Sequence, residues 1–158
     1  MFIQEKNQEL SESLLSLIQD EPDALANLAN GAALIYHGMT DLNWAGFYLF
    51  KENQLILGPF QGKPACIRIP LGKGVCGTAA QNRTAIVVRD VHEFPGHIAC
   101  DAASASELVI PILRDGRLVG VLDIDSPVKD RFSPEDVGIL HECVGILAAH
   151  VRWESLLS

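Results

Sequence analysis

Four cysteines, Cys66, Cys76, Cys100 and Cys143, are the residues of this chain most able to do chemistry. A thiol can pack as a small apolar group, ligate a metal or cycle through oxidation. No C-x-x-C or H-x-x-x-H pair is present to pre-form a zinc site. Cys143 falls among Ile139, Ile146 and His150 on an apolar periodic segment, so packing is its expected role. Cys100 differs: it ends the stretch HEFPGHIAC and precedes DAASAS, a loop of small and polar residues between apolar runs that leaves a thiol accessible. An unperturbed thiol near pKa 8.5 is only about 3% ionised at pH 7, and no lysine or arginine adjoins Cys100. A nucleophilic role therefore needs activation or an electrophile made more reactive, with His97 three residues away as a possible helper.

Gly72-Lys73-Gly74-Val75-Cys76-Gly77 satisfies G-x-G-x-x-G, and Asp90 lies downstream where a ribose-binding acid could stand. The match does not carry over. The segment between Gly77 and Ile86 is too short for a helical crossover between parallel strands, and Pro70 interrupts the preceding strand. A glycine-rich turn into a short helix is expected, whose first N–H groups could hold a carboxylate.

Helical spacing joins Leu10, Leu14, Leu17 and Ile18, then Leu25, Leu28, Ala32 and Ile35, with Pro22 placed as the start of the second helix. NWAGFYLF and QLILGPF, joined by Lys51-Glu52-Asn53, read as one hairpin; ELVIPIL and RLVGVLDID around Asp115-Gly116 read as another. Ser133-Pro134-Glu135-Asp136 caps a closing helix with apolar positions at 137, 140, 144, 147 and 151. Helices at both ends of meandering strands imply an α+β fold, an antiparallel sheet packed against N-terminal and C-terminal helices, in one domain over residues 1–158.

The composition fits that reading. The chain has 158 residues, 48% of them hydrophobic, and a net charge of −8. Such a charge disfavours nucleic acid and anionic membranes as partners, since both need a basic face. The N-terminus lacks the apolar stretch of a secretory signal, so a cytoplasmic setting is expected.

NWAGFY, CIRIPLGKGVCGTA, FPGHIACD, SELVIP and VLDIDS, spread over about residues 40–150, resemble the free methionine-(R)-sulfoxide reductases, single-domain enzymes of the GAF fold. The resemblance implies that Cys100 attacks the sulfoxide sulfur and that Cys66 resolves the sulfenic acid as a disulfide. Cys76 would be an auxiliary or alternative resolving thiol. Thioredoxin or a similar dithiol would recycle the enzyme; no metal or cofactor is implied. Glu107 and Asp125 would polarise the sulfoxide, Asp123 would orient the substrate, and any of the three could meet its ammonium group. Mutual repulsion in such an acid cluster is expected to raise at least one pKa, which makes a proton donor near neutral pH. Trp44 and Tyr48, which alone would read as ordinary core, would wall the pocket around the S-methyl group. A homodimer is expected from the same resemblance and from the amphipathic end helices.

Two other readings are a non-catalytic GAF sensor of a small molecule, for which the chain shows no evident output domain, and a metal switch using Cys66, Cys76, Cys100 and a histidine. The reductase reading sets a geometric condition. Asp123 and Asp125 share one face of a regular strand. A regular two-residue loop at Asp115-Gly116 would put Glu107 opposite Ile124, facing away from both. A three-residue loop of Arg114-Asp115-Gly116 with a G1 bulge would put it opposite Asp123. The expectation is the three-residue loop, or a second irregularity that restores the same facing.

Overall fold

The computed structural model describes residues 2–97 and 103–157, with side chains from Glu9 onward. Helix α1 (Phe2–Ile18) precedes α2 (Ala24–Gly38). The start of α2 is set by Asp23, whose carboxylate accepts the Ala26 N–H at 2.8 Å. Pro22 therefore lies outside the helix rather than opening it, because the side-chain acceptor at position 23 satisfies a free N–H that proline cannot.

Among the described residues six strands follow: β1 (Trp44–Lys51), β2 (Gln54–Gly62), β3 (Arg68–Pro70), β4 (Ile86–Val88), β5 (Ser106–Arg114) and β6 (Arg117–Ser126). They form one sheet in the order β3-β2-β1-β6-β5-β4, and every pairing is antiparallel. Helix α3 (Gly74–Asn82) stands between β3 and β4, and a 3₁₀ turn covers Val91–Glu93. The glycine motif is thus a turn into a short helix. A Cβ on Gly77 would lie 2.4 Å from the Pro70 carbonyl oxygen, so that glycine lets α3 sit directly on β3.

Both hairpins close through two residues with positive φ, Glu52-Asn53 and Asp115-Gly116. That pair of left-handed residues matches the right-handed strand twist. Arg114 pairs with Arg117, so the three-residue loop expected above is not formed. The irregularity lies further along. Leu113 pairs with Leu118 and Ile112 with Gly120, which leaves Val119 as an extra residue on β6. This bulge shifts the remaining register so that Glu107 faces Asp125, where the expected loop would have paired it with Asp123. A second bulge lies between β1 and β2: Gly46 pairs with Phe60 and Tyr48 with Leu57, with Gly58 and Pro59 both opposite Phe47. Pro59 is tolerated within β2 because a bulge releases one position from the ladder.

One face of the sheet is largely apolar. Phe47, Leu108, Ile110, Leu122 and Ile124 pack there against Leu14, Ile18, Leu28, Ile35, Leu140 and Leu147 from α1, α2 and helix α4 (Pro134–His150). Each fully buried side chain of this size contributes roughly 1.5–3 kcal/mol. Helix α4 begins with the capping box read from its sequence, Ser133 and Asp136 exchanging bonds between side chain and backbone. It is not the last element, however. Helix α5 (Glu154–Leu157) follows, and the buried Trp153 donates its indole N–H to the Leu147 carbonyl at 3.1 Å. No helix among the described residues is long and apolar enough to cross a membrane.

Candidate active site

The opposite face of the sheet holds a cavity roofed by α3 and the loop between β2 and β3. Period-two alternation sends Trp44 and Tyr48 of β1, Glu107 of β5, and Asp123 and Asp125 of β6 toward it, and all five line it. Cys76, Lys73, Gly74 and Val75 from the start of α3 close one side, with His97 and Ser104 on another.

Trp44 stacks on Tyr48 with ring centroids 5.9 Å apart and on Phe60 at 5.1 Å. The two β1 aromatics also hold the loop that carries Cys66. Trp44 donates its indole N–H to the Lys63 carbonyl at 3.1 Å, and the Tyr48 hydroxyl donates to the Cys66 carbonyl at 2.8 Å. Their role is therefore wider than walling a pocket. Phe60 was not among the candidates from sequence. It lies opposite Gly46, where a Cβ would come within 2.3 Å of the Phe60 Cβ, and nothing within either segment alone marks that pairing.

Glu107 and Asp123 are each 6% exposed. Burial pushes the Glu107 carboxyl well above the ordinary range, and the charge of Asp125 adds to it. Burial likewise raises Asp123, with Glu107 as its repelling neighbour. The cluster thus does what mutual repulsion implied, but loss of hydration is the larger cause. Asp123 Oδ1 is buried without a hydrogen-bond partner among the described residues, an acceptor available to a ligand cation. The Tyr48 phenol is also raised by burial and by Asp123, and stays protonated.

Cys100 lies outside the described residues. Cys66 is in a disulfide, whereas Cys76 and Cys143 are free thiols. Cys76 is buried against the acids, and burial followed by the charges of Asp123 and Glu107 raises its pKa strongly. It is a poor nucleophile there. Cys143 is fully buried in the helix-side core, its thiol pushed up to about 12, as its apolar surroundings implied.

Cys76 Sγ and carboxylate oxygens of Glu107 and Asp123 lie within 4.8 Å of one another, a donor set able to hold one divalent cation. It differs from the switch weighed from sequence, in which Cys66 was a ligand, since Cys66 is committed to a disulfide. His97 places Nε2 at 3.5 Å from Glu107 Oε1.

A curled antiparallel sheet with helices on one face and a ligand-sized cavity on the other defines a GAF domain, and the GAF family profile matches residues 13–151. The chain is 60% identical to protein YtsP of Bacillus subtilis over 80% of its length and 79% of that protein's. It is 52% identical to the free methionine-R-sulfoxide reductase of Escherichia coli, covering 88% of this chain and 84% of that one. The X-ray structure of the Neisseria meningitidis free methionine-R-sulfoxide reductase with its substrate is 41% identical, with a TM-score of 0.90 over 95% of this chain and 90% of that one. The chain belongs to the GAF-domain family and, within it, to the free methionine-(R)-sulfoxide reductases.

Proposed function

We propose that this protein reduces free methionine-(R)-sulfoxide to methionine with Cys100 as nucleophile and Cys66 as resolving thiol. The observation that carries the reading is the convergence of Glu107, Asp123 and Asp125 on one aromatic-walled cavity, where burial raises the proton affinity of the first two. A buried neutral carboxylic acid can hydrogen-bond and then protonate a sulfoxide oxygen, which makes the sulfur electrophilic.

In the first half-reaction the Cys100 sulfur gives two electrons to the sulfoxide sulfur. The substrate S–O bond breaks, methionine leaves, and the oxygen remains on Cys100 as a sulfenic acid. In the second, Cys66 forms an S–S bond to Cys100 and the oxygen departs as water. The oxidised state of Cys66, beside two free thiols at Cys76 and Cys143, supports Cys66 over Cys76 in this role. Glu107 and Asp125 face each other across the ladder as the groups that polarise the sulfoxide. Asp123, with its open buried oxygen, orients the substrate by accepting from the ammonium group. Thioredoxin, or a similar dithiol, returns the disulfide to thiols. A single-domain homodimer acting in the cytoplasm completes the proposal.

The test is NADPH consumption coupled through thioredoxin with three substrates: the free R epimer, the free S epimer and a peptide-bound sulfoxide. Turnover of the free R form alone is expected. Equal turnover of the peptide, or none with any substrate, refutes the assignment.

A further inference from the structure

Glu107 presents a difficulty to any reaction that uses its proton. Its side chain is 8% exposed, on a strand whose neighbouring cavity face is covered by α3 and aromatic rings, so water reaches it poorly. Each catalytic cycle nevertheless consumes that proton. A cysteine sulfur that attacks as thiolate has released its own proton to solvent, while the oxygen takes one from the carboxyl; the acid must therefore be reloaded before the next cycle.

The geometry points to His97 as the residue that carries protons between solvent and Glu107. Its Nε2 lies 3.5 Å from Glu107 Oε1, it lines the same cavity, and its side chain is 15% exposed, so the ring reaches both the buried acid and water. The backbone N–H of His97 donates to the Phe94 carbonyl at 3.2 Å, which anchors the ring's base on the segment after the 3₁₀ turn. Burial lowers the affinity of the His97 ring for a proton while burial raises that of Glu107. Of the other titratable groups lining the cavity, Tyr48, Asp123 and Cys76 are as buried as Glu107, and Lys73 is the N-cap residue of α3. Asp125 is the competing route. His97 acts through Glu107 and is in that sense a positioning residue for its proton, not a group that touches the sulfoxide.

The inference rests on the reductase reading, and the wild-type protein provides the control that separates the two. Steady-state turnover of free methionine-(R)-sulfoxide is compared in wild type, His97→Ala and His97→Gln with excess dithiol. Loss of the relay is expected to lower kcat by about tenfold or more in both variants with KM nearly unchanged. Added imidazole, which fits the space left by the ring, is expected to restore His97→Ala in a saturable manner and to leave His97→Gln slow. If His97→Ala does not fold, the fall in kcat at constant KM in His97→Gln carries the test. A wild-type kcat in either variant, or a slow His97→Ala that imidazole does not rescue, overturns the relay and favours reloading through Asp125. No wild-type turnover overturns the reductase reading, and the relay with it.

Discussion

Glu107 stands directly across the β5–β6 ladder from Asp125, and it does so only because Val119 is an extra residue in β6. The hairpin turn alone would have paired Glu107 with Ile124 and aimed it into the helix-side core.

That dependence makes Val119 a test of the site. Deleting it restores a regular ladder and turns either Glu107 or the Asp123–Asp125 pair into an apolar core. An unpaired buried carboxylate there costs several kcal/mol. The deletion variant is expected to unfold or to fold without activity. Val119→Ala keeps the residue count, so it should retain turnover within about twofold while losing about 1–3 kcal/mol of stability. Urea melts and the coupled assay on both variants check this; a deletion with wild-type stability and turnover refutes it.

The cysteine roles separate in a single turnover without reductant. Cys100→Ser is expected to release no methionine. Cys66→Ser should release close to one per subunit and then stall, because the sulfenic acid forms without its resolving partner. Cys76→Ser should continue through multiple turnovers once dithiol is supplied. Continued turnover in Cys66→Ser would transfer the resolving role to Cys76.

Glu107 also predicts a pH signature. An unfolded glutamate ionises near pH 4.3, whereas the buried carboxyl releases its proton only at higher pH. Below about pH 4.3 both states hold the proton and nothing is lost. Above it, up to the raised value, only the folded state holds it, so its contribution to stability falls as pH rises. Glu107→Gln removes this slope. The variant is expected to gain stability over wild type progressively as pH rises above about 4.3 toward the raised value, and to lose about 10²-fold or more in kcat. Denaturation midpoints measured across that range give the answer, and parallel curves for the two proteins would contradict it.

Cys143 lies with 0% exposure among Ile139, Leu140 and Leu147. Cys143→Ala is expected to lower stability by about 0.5–2 kcal/mol with kcat and KM unchanged. In the native protein this thiol should resist alkylation by iodoacetamide until the chain unfolds, as mass spectrometry of protected sites will report. A kinetic defect with no change in melting temperature would mean that Cys143 has a part in the chemistry.

What was legible in the amino-acid sequence is what neighbouring residues decide. The Ser133 cap of α4, the hairpin about Asp115-Gly116 and the shared facing of Asp123 and Asp125 are each settled by contacts within a few positions, and each is found; the three-residue loop expected at that hairpin is not, since Arg114 pairs with Arg117 and the irregularity falls at Val119 instead. Where two local signals competed, the reading slipped: Pro22 looked like a helix start, yet the Asp23 side chain caps α2. The bulge at Val119 could not be placed from the chain alone, because a bulge depends on which residue of the partner strand each position meets. The same holds for Phe60 against Trp44, a contact made by pairing across β1 and β2. A raised pKa on at least one acid of the cluster was anticipated from mutual repulsion, but that of Glu107 is raised chiefly by burial, a property of the packed sheet, α3 and loops together. Local patterning thus reveals most of the elements and the inventory of thiols and acids. Their convergence comes from packing across the sheet, because side-chain facing and loss of hydration are set by residues distant along the chain.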